Sequence, residues 1–109
     1  MPQGLTERQQ SKYREFYDST RENQFLSKRE TLLVGLAASM AVNCIPCQRF
    51  YLQDCKSAGI SKGDIGEVLA KVMAVSAGQK RLQLQEVLDR FEIDLDDFPS
   101  AKTAAAGPQ

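Results

Sequence analysis

The sequence contains no histidine and no tryptophan, and its 14 basic and 14 acidic side chains leave no net charge. Without histidine, the chain lacks both the commonest general base and the commonest metal ligand. A chain with no net charge gives no indication of a nucleic-acid or membrane-surface partner, and we expect neither. The same balance offers little electrostatic resistance to self-association.

Long apolar runs are also missing. The longest run, Leu32 to Val42, spans 11 residues and is interrupted by glycine and serine, whereas a membrane span needs about 20. Residues 1–10 contain no apolar core behind a basic start, so we expect no signal peptide and a cytoplasmic location. A chain of 109 residues predicts one domain, 1–109, with a core over about 6–91 and a C-terminal tail over 92–109.

No segment alternates polar and apolar residues as a half-buried strand does, and we predict an all-α fold. The patterns Thr6–Gln9 and Ser27–Glu30 are capping boxes that begin the first two helices. The first helix carries a narrow aromatic face, which we interpret as core or as a subunit contact. Residues Thr31–Val42 are apolar or small all round, which predicts a central helix buried on every side and ending at Asn43.

The remaining sequence predicts three further helices, five in all. The third begins at a pair of cysteines and ends at Gly59, a common helix terminator. The fourth begins at Ser61, with Asp64 at the capping-box position. Gly78 is expected to break or kink the chain before a last amphipathic helix that ends near Phe91. The acidic run after it is predicted to be irregular, and residues 100–109 to form a loosely held tail.

The clearest chemical signal is the stretch Asn43-Cys44-Ile45-Pro46-Cys47, where one helix is predicted to end and the next to begin. Pro46 suits a first helical turn because its missing N–H costs nothing there. Cα atoms three residues apart in such a turn lie about 5 Å from each other, within the range of a disulfide. The free N–H groups of a helix N-terminus favour a thiolate. Cys44 and Cys47 are therefore predicted to be a redox pair.

Two other interpretations of the cysteines stay open. Both could be small buried hydrophobic residues, as free cysteines often are. They could also bind zinc or an iron–sulfur cluster, but those sites usually take four ligands, and three cysteines without histidine would have to be pooled across an oligomer. Cys55 lies eight residues after Cys47, about 12 Å along the helix, and is expected to fill the core. We predict no metal and no cofactor.

Residues 27–78 resemble the alkylhydroperoxidase D branch of the carboxymuconolactone decarboxylase superfamily. The resemblance rests on Lys28-Arg29-Glu30, on the Cys44–Cys47 motif, and on Ser57-Ala58-Gly59-Ile60-Ser61 followed by Asp64-Ile65. It implies an all-helical protomer that assembles as a homo-oligomer, commonly a trimer or hexamer. It also implies a cysteine pair that reduces peroxides or passes electrons to the disulfide of a partner.

The sequence departs from the peroxidase motif of that branch, E-x11-C-x-x-C-x-x-x-H, at both ends. Tyr51 stands in place of the histidine, and Leu32 in place of the glutamate. Glu30 lies nearby, but two residues along a helix is a rotation of about 200°, and its capping box explains it more simply. An unperturbed tyrosine pKa near 10 makes Tyr51 a poor base at neutral pH. Tyr51 and Glu30 therefore enter only as auxiliary candidates for proton donation or relay.

We therefore predict a thiol-disulfide oxidoreductase whose catalytic residues are Cys44 and Cys47. Its substrates are disulfides or peroxides, and its reductant is a redox partner protein or a small dithiol. The missing relay favours disulfide substrates. Family analogy points to Cys47 as the attacking sulfur, while helix geometry makes Cys44 equally suitable. The alternative is a catalytically silent assembly or interaction protein of the same fold.

Overall fold

The computed structural model describes residues 4–101, and all the regular secondary structure in this range is helical. Four α-helices follow one another: α1 (Glu7–Ser19), α2 (Lys28–Ala41), α3 (Ile45–Ser57) and α4 (Lys62–Arg90). A short 3-10 turn, Leu95–Asp97, comes after them. The described residues contain no strand, so the predicted all-α class is confirmed. Over the same residues, no helix has an apolar stretch long enough to cross a membrane.

The chain divides into two compact units, one up to Ala74 and one from Val75 onward. That residues 1–109 form a single domain stays a prediction. Of the loosely held tail predicted over 100–109, the described residues include only Ser100 and Ala101. The acidic segment before it is less irregular than expected, because the Asp94 carboxylate accepts the Asp96 N–H at 2.9 Å and begins the 3-10 turn.

The predicted helix starts are confirmed. Thr6 and Ser27 cap α1 and α2, each in a reciprocal capping box with the residue three positions later. Before α4, the Ser61 hydroxyl accepts the Asp64 N–H at 3.1 Å, and the Asp64 carboxylate accepts the Ser61 N–H at 3.1 Å. These bonds satisfy N–H groups that have no partner inside a helix, so local sequence alone sets where each helix begins.

The end of α3 is also as predicted. Gly59 takes a left-handed conformation with φ of 75°. The next N–H, that of Ile60, donates to the Cys55 carbonyl at 3.0 Å, and the Gly59 N–H donates to the Lys56 carbonyl at 3.2 Å. This pair of bonds is a Schellman motif, which satisfies the last carbonyls of the helix and turns the chain toward α4.

Two predictions about the helices are wrong. Residues 4–101 form four α-helices and not five, because α4 runs through Gly78 without interruption for 29 residues. A single glycine retains its N–H and costs a helix only about 1 kcal/mol relative to alanine, which is too little to end it. Helix α2 is not buried on every side of the protomer, since Val34 is 56% exposed and Ala38 is exposed as well.

The core of the first unit is small and lies where α2 meets α3. Leu32, Leu36 and Cys55 are its buried apolar residues. Partly buried side chains pack around them, and these are Met40, Tyr51, Ile60, Ile65 and Val68. The two helices approach closely because Gly35 has no side chain: a Cβ there would overlap the Tyr51 ring. The second unit contains none of these core residues. Leu82 and Leu84 on α4, and Phe91 just after it, are exposed in the protomer.

Candidate redox site

The cysteine pair lies at the start of α3, as the sequence predicts. Cys44 is the N-cap residue, Ile45 and Pro46 are the first two helical residues, and Cys47 is the third. The two sulfurs form a disulfide across Cα atoms 5.2 Å apart. That separation lies inside the range that disulfides accept, so the turn can hold the bond without moving its backbone.

The start of the helix is arranged to favour a thiolate. The Cys47 N–H donates to the Cys44 Sγ at 3.3 Å, in the position where a serine oxygen would cap a helix. Both cysteines are half-buried and neither is sealed inside the core. A helix N-terminus and a backbone N–H both lower the pKa of a thiol, so reduction of this disulfide would release a sulfur already placed beside a stabilising donor.

A shallow depression of about 400 Å³ lies on the first turns of α3. It is lined by the two residues between the cysteines, Ile45 and Pro46, and by Arg49, Phe50 and Gln53 from the next turns of α3. Ile45 is 73% exposed, which is unusual for an isoleucine unless something covers it. The side of the motif that carries its two middle residues is therefore open, apolar and next to one cation.

Tyr51, which replaces the family histidine, is held by a second tyrosine. Its hydroxyl lies 3.3 Å from the hydroxyl of Tyr17 on α1. This hydrogen bond, together with burial, raises the pKa of Tyr51 to about 12. The phenol therefore stays protonated at neutral pH and cannot act as a base there. Its ring packs on Gly35, which accounts for its position, and its role as a proton donor stays a prediction.

The Glu30 side chain takes part in the capping box at the start of α2. Its carboxylate accepts the Ser27 N–H at 2.8 Å, and the Ser27 hydroxyl accepts the Glu30 N–H at 3.0 Å. The Ser27 backbone N–H, and then its hydroxyl, hold the pKa of Glu30 below its usual value. The predicted capping box is confirmed, while a part for Glu30 in a proton relay stays a prediction.

Cys55 is a core residue, as predicted. It is 1% exposed and packs with Leu32 and Leu36. Burial, and then the nearby Asp54 carboxylate, raise the pKa of the Cys55 thiol, which keeps it in the unreactive protonated form. Within residues 4–101, no three side chains of histidine, cysteine, aspartate or glutamate come together as a metal site.

The structure adds two residues to the neighbourhood of the predicted site. Tyr17 belongs to the narrow aromatic face predicted for the first helix, and nothing in the sequence paired it with Tyr51. The sequence predicted that the second helix ends at Asn43, whereas α2 ends at Ala41 and Asn43 lies in the turn that follows. Its φ of 60° places it in the left-handed region immediately before Cys44. Asparagine between two helical patterns is a signal for that conformation.

The helical fold and the cysteine pair at the start of α3 together indicate a class of helical proteins with a C-x-x-C motif, and comparison with known proteins identifies the family. The model of the carboxymuconolactone decarboxylase family matches residues 10–90, and the chain belongs to that family. The resemblance read from the sequence is thereby confirmed.

Among solved structures, the chain is similar to a crystal structure of a protein from Methanobacterium thermoautotrophicum. The two are 28% identical and superpose with a TM-score of 0.67, over 71% of this chain and 86% of the other. No curated protein matches the chain significantly.

Proposed function

We propose that the protein is a thiol-disulfide oxidoreductase that cycles Cys44 and Cys47 between dithiol and disulfide. The observation that carries the proposal is the disulfide itself, which joins the N-cap residue of α3 to the third residue of the helix. A redox pair needs two sulfurs within bonding distance, a stabilised thiolate and access for a reactant. The Cys44–Cys47 turn offers all of these at a half-buried position.

The proposed reaction is thiol-disulfide exchange. The thiolate of one cysteine attacks a substrate disulfide, forms a mixed disulfide and releases one substrate thiol. The other cysteine loses its proton and displaces the second substrate thiol, which closes the Cys44–Cys47 bond. Two electrons pass from the cysteine pair to the substrate, which leaves as two thiols. A partner dithiol, either a protein or a small molecule, returns two electrons and restores the pair.

Disulfide substrates suit this site better than peroxides. Reduction of a peroxide is helped by a group that gives a proton to the departing oxygen. The residue in the place of the family histidine is Tyr51, whose hydroxyl is hydrogen-bonded to that of Tyr17 and whose pKa is raised to about 12, so it is a weak proton donor at neutral pH. Thiol exchange releases a thiolate, a far better leaving group at neutral pH, and does not depend on such a donor.

Within this proposal, Cys44 is the attacking cysteine. Its sulfur occupies the capping position and accepts the Cys47 N–H, so a negative charge is stabilised there most directly. In the reduced protein at neutral pH, a limiting amount of iodoacetamide should label Cys44 before Cys47. Peptide mass analysis measures the ratio, and preferential labelling of Cys47 would return the assignment to the one implied by family analogy.

The test of the proposal is dithiol-dependent reduction of a disulfide dye by single cysteine variants. Cys44→Ser and Cys47→Ser should each abolish turnover, because neither retains a pair that can close. Cys55→Ser is the matched control and should retain most activity, since Cys55 lies in the core away from the exchange. Equal activity of all three variants would remove the redox hypothesis.

The second candidate function is a catalytically silent assembly protein. The Tyr17–Tyr51 hydroxyl pair supports it, because a packing contact occupies the position where the family's peroxidases have a proton relay. Thiol titration separates the two candidates. A redox pair has one cysteine with a pKa clearly below about 8.5, whereas silent cysteines titrate near that value.

We also propose that the protein works as a homo-oligomer, with a second copy covering the exposed apolar side chains of α2 and α4. On α2, Val34 is exposed; on α4, the exposed apolar side chains include Leu69, Met73, Leu82 and Leu84. A small apolar core beside so many exposed apolar side chains is unusual for a monomer. The resemblance implies a trimer or hexamer.

A further inference from the structure

The turn between α2 and α3 is short and depends on one unusual backbone conformation. Only Val42, Asn43 and Cys44 separate the two helices. Asn43 has φ of 60°, in the left-handed region that most side chains avoid. Its N–H donates to the Met40 carbonyl at 3.2 Å, and the Cys44 N–H donates to the Ser39 carbonyl at 3.0 Å. These bonds form a Schellman motif with asparagine where glycine is usual.

Cys44 consequently makes hydrogen bonds to both the end of α2 and the start of α3. Its N–H completes the end of α2 through Ser39, while its carbonyl accepts the Gln48 N–H at 3.0 Å and its sulfur accepts the Cys47 N–H at 3.3 Å. Ser39 is buried, and its carbonyl also lies 3.5 Å from the Gln48 side-chain amide. The backbone of Cys44 is thus fixed from both sides, and the left-handed residue just before it makes the two sets of bonds compatible.

From this geometry we infer that Asn43 is a positioning residue for the redox pair and sets the equilibrium between its dithiol and its disulfide. The inference rests on the function proposed above. Asparagine enters the left-handed region more readily than other residues with a side chain, whereas a β-branched residue is strongly disfavoured there. A residue that resists this conformation moves Cys44 away from the N-cap position, where its Cα lies 5.2 Å from that of Cys47.

The oxidised form depends on this turn more than the reduced form does. In the disulfide, the bond to Cys47 holds Cys44 at the start of α3, so Asn43 must remain left-handed. In the dithiol, that bond is absent and only the backbone hydrogen bonds hold the turn, so a residue that resists a positive φ can leave this conformation at the cost of those bonds alone. A substitution that disfavours a positive φ therefore destabilises the disulfide more than the dithiol, and it also moves the Cys44 sulfur away from the N–H that stabilises its thiolate.

The chain provides a matched control for this effect. Glu92 also has a positive φ, of 53°, at the end of α4, and the Ile93 N–H donates to the Leu88 carbonyl at 2.9 Å in the same kind of motif. Glu92 lies in the second unit and has no part in the cysteine turn. A β-branched residue at either position meets the same conformational resistance, but only the one at position 43 acts on Cys44.

The experiment equilibrates Asn43→Val, Asn43→Gly and Glu92→Val with glutathione redox buffers, followed by acid quench, alkylation and mass measurement of the disulfide fraction. Asn43→Val should lower the equilibrium constant for disulfide formation about five- to thirty-fold, the cost of a left-handed β-branched residue. Asn43→Gly and Glu92→Val should both stay within about twofold of the parent, because glycine accepts the conformation and Glu92 is elsewhere.

A parent-like equilibrium in Asn43→Val, or an equal shift in Glu92→Val, would overturn the inference. If Asn43→Val does not fold, Asn43→Ala replaces it, and the same comparison applies with an expected shift of about fivefold. The measurement uses no enzyme substrate, so it is independent of turnover. Loss of the proposed function would show as unchanged turnover in the Cys44→Ser variant, whatever the Asn43 variants do.

Discussion

At the scale of single residues, Tyr51 bears on the proposed chemistry because it stands where the peroxidase motif has histidine. A histidine at this position could exchange protons near neutral pH, whereas this phenol is bonded to Tyr17 and its pKa is about 12. The sequence predicts a poor base, because the ordinary tyrosine pKa already argues against one. It could not show that a partner on α1 raises the pKa further, since that contact joins residues 34 positions apart.

The tyrosine pair predicts a pH dependence. A phenol whose pKa is raised from 10.0 to about 12 in the folded protein stabilises the fold at and below about pH 10, and this contribution is lost as pH rises toward 12. Spectrophotometric titration at alkaline pH should show one tyrosine that ionises late. Tyr51→Phe should remove that late transition, and a titration unchanged by this substitution would contradict the assignment.

The same pair predicts a small effect on stability. Tyr51→Phe and Tyr17→Phe each remove the same hydrogen bond and should each lower the free energy of unfolding by about 0.5–1.5 kcal/mol. The double variant should lose little more than either single one, because the bond is already gone. Additive losses in urea denaturation would mean that the two hydroxyls stabilise the fold independently.

At the scale of helices, local sequence patterns determined the starts and ends, while contacts determined which faces are buried. The capping boxes at Thr6, Ser27 and Ser61 and the turn at Gly59 act within a few residues, so the sequence reveals them. Gly78 misled the prediction because glycine ends a helix only when the chain must turn there. Gly59 is followed two residues later by the capping box that begins α4, whereas no capping residue follows Gly78, and this difference is the local signal that separates the two glycines.

Replacing glycine by alanine should have opposite effects on stability at Gly35, where α2 approaches α3 closely, and at Gly66, where no atom is near. Gly35→Ala places a methyl group against the Tyr51 ring and should lower the free energy of unfolding by about 1–3 kcal/mol. Gly66→Ala on α4 meets open space and should raise it by about 0.4–1 kcal/mol. Denaturant unfolding of both variants checks the prediction. Destabilisation by Gly66→Ala as large as that by Gly35→Ala would contradict the packing described here.

An ion pair joins the starts of α2 and α4 and predicts behaviour in acid. The Arg29 guanidinium donates to both oxygens of Asp64, at 2.7 Å and 3.1 Å, and with the Ser61 hydroxyl it holds the pKa of Asp64 well below its usual value. A carboxylate with a depressed pKa stabilises the fold above the unfolded pKa of about 3.9, and this contribution is lost as pH falls further.

Asp64→Asn should therefore destabilise the protein near neutral pH and flatten the acid limb of its stability curve. Glu86→Gln is the control, because Glu86 pairs with Arg90 on the exposed surface of α4 and takes no part in the junction between helices. Thermal unfolding over a pH series makes the comparison. Parallel acid limbs for Asp64→Asn and the parent would show that the Asp64 pair does not contribute.

At the scale of the whole molecule, the family and the all-α class were predictable, because the cysteine motif and the helical periodicity are both visible in this one sequence. The extent of burial was not. Periodicity marked α2 as apolar on every side but could not say whether its own chain or another copy covers Val34 and Val42. That distinction depends on the partners of the helix and not on its residues.

The exposed apolar residues predict self-association. Light scattering at micromolar concentration should give the mass of a trimer or hexamer of the 12.1 kDa chain. Leu69→Glu on α4 should lower that mass, since a buried unpaired carboxylate opposes assembly. Lys71→Glu, at a residue that is already charged, is the control. A monomer at all concentrations would contradict the proposed assembly.

The redox pair is the central claim, and the reactivity of its reduced thiols tests it most directly. The rate of alkylation of Cys44 and Cys47 should be measured across pH in the Cys55→Ser protein. One thiol should titrate clearly below about 8.5, and oxidation should return both sulfurs to a single intramolecular disulfide. Two thiols that titrate at or above that value and do not form the bond under mild oxidation would contradict the claim.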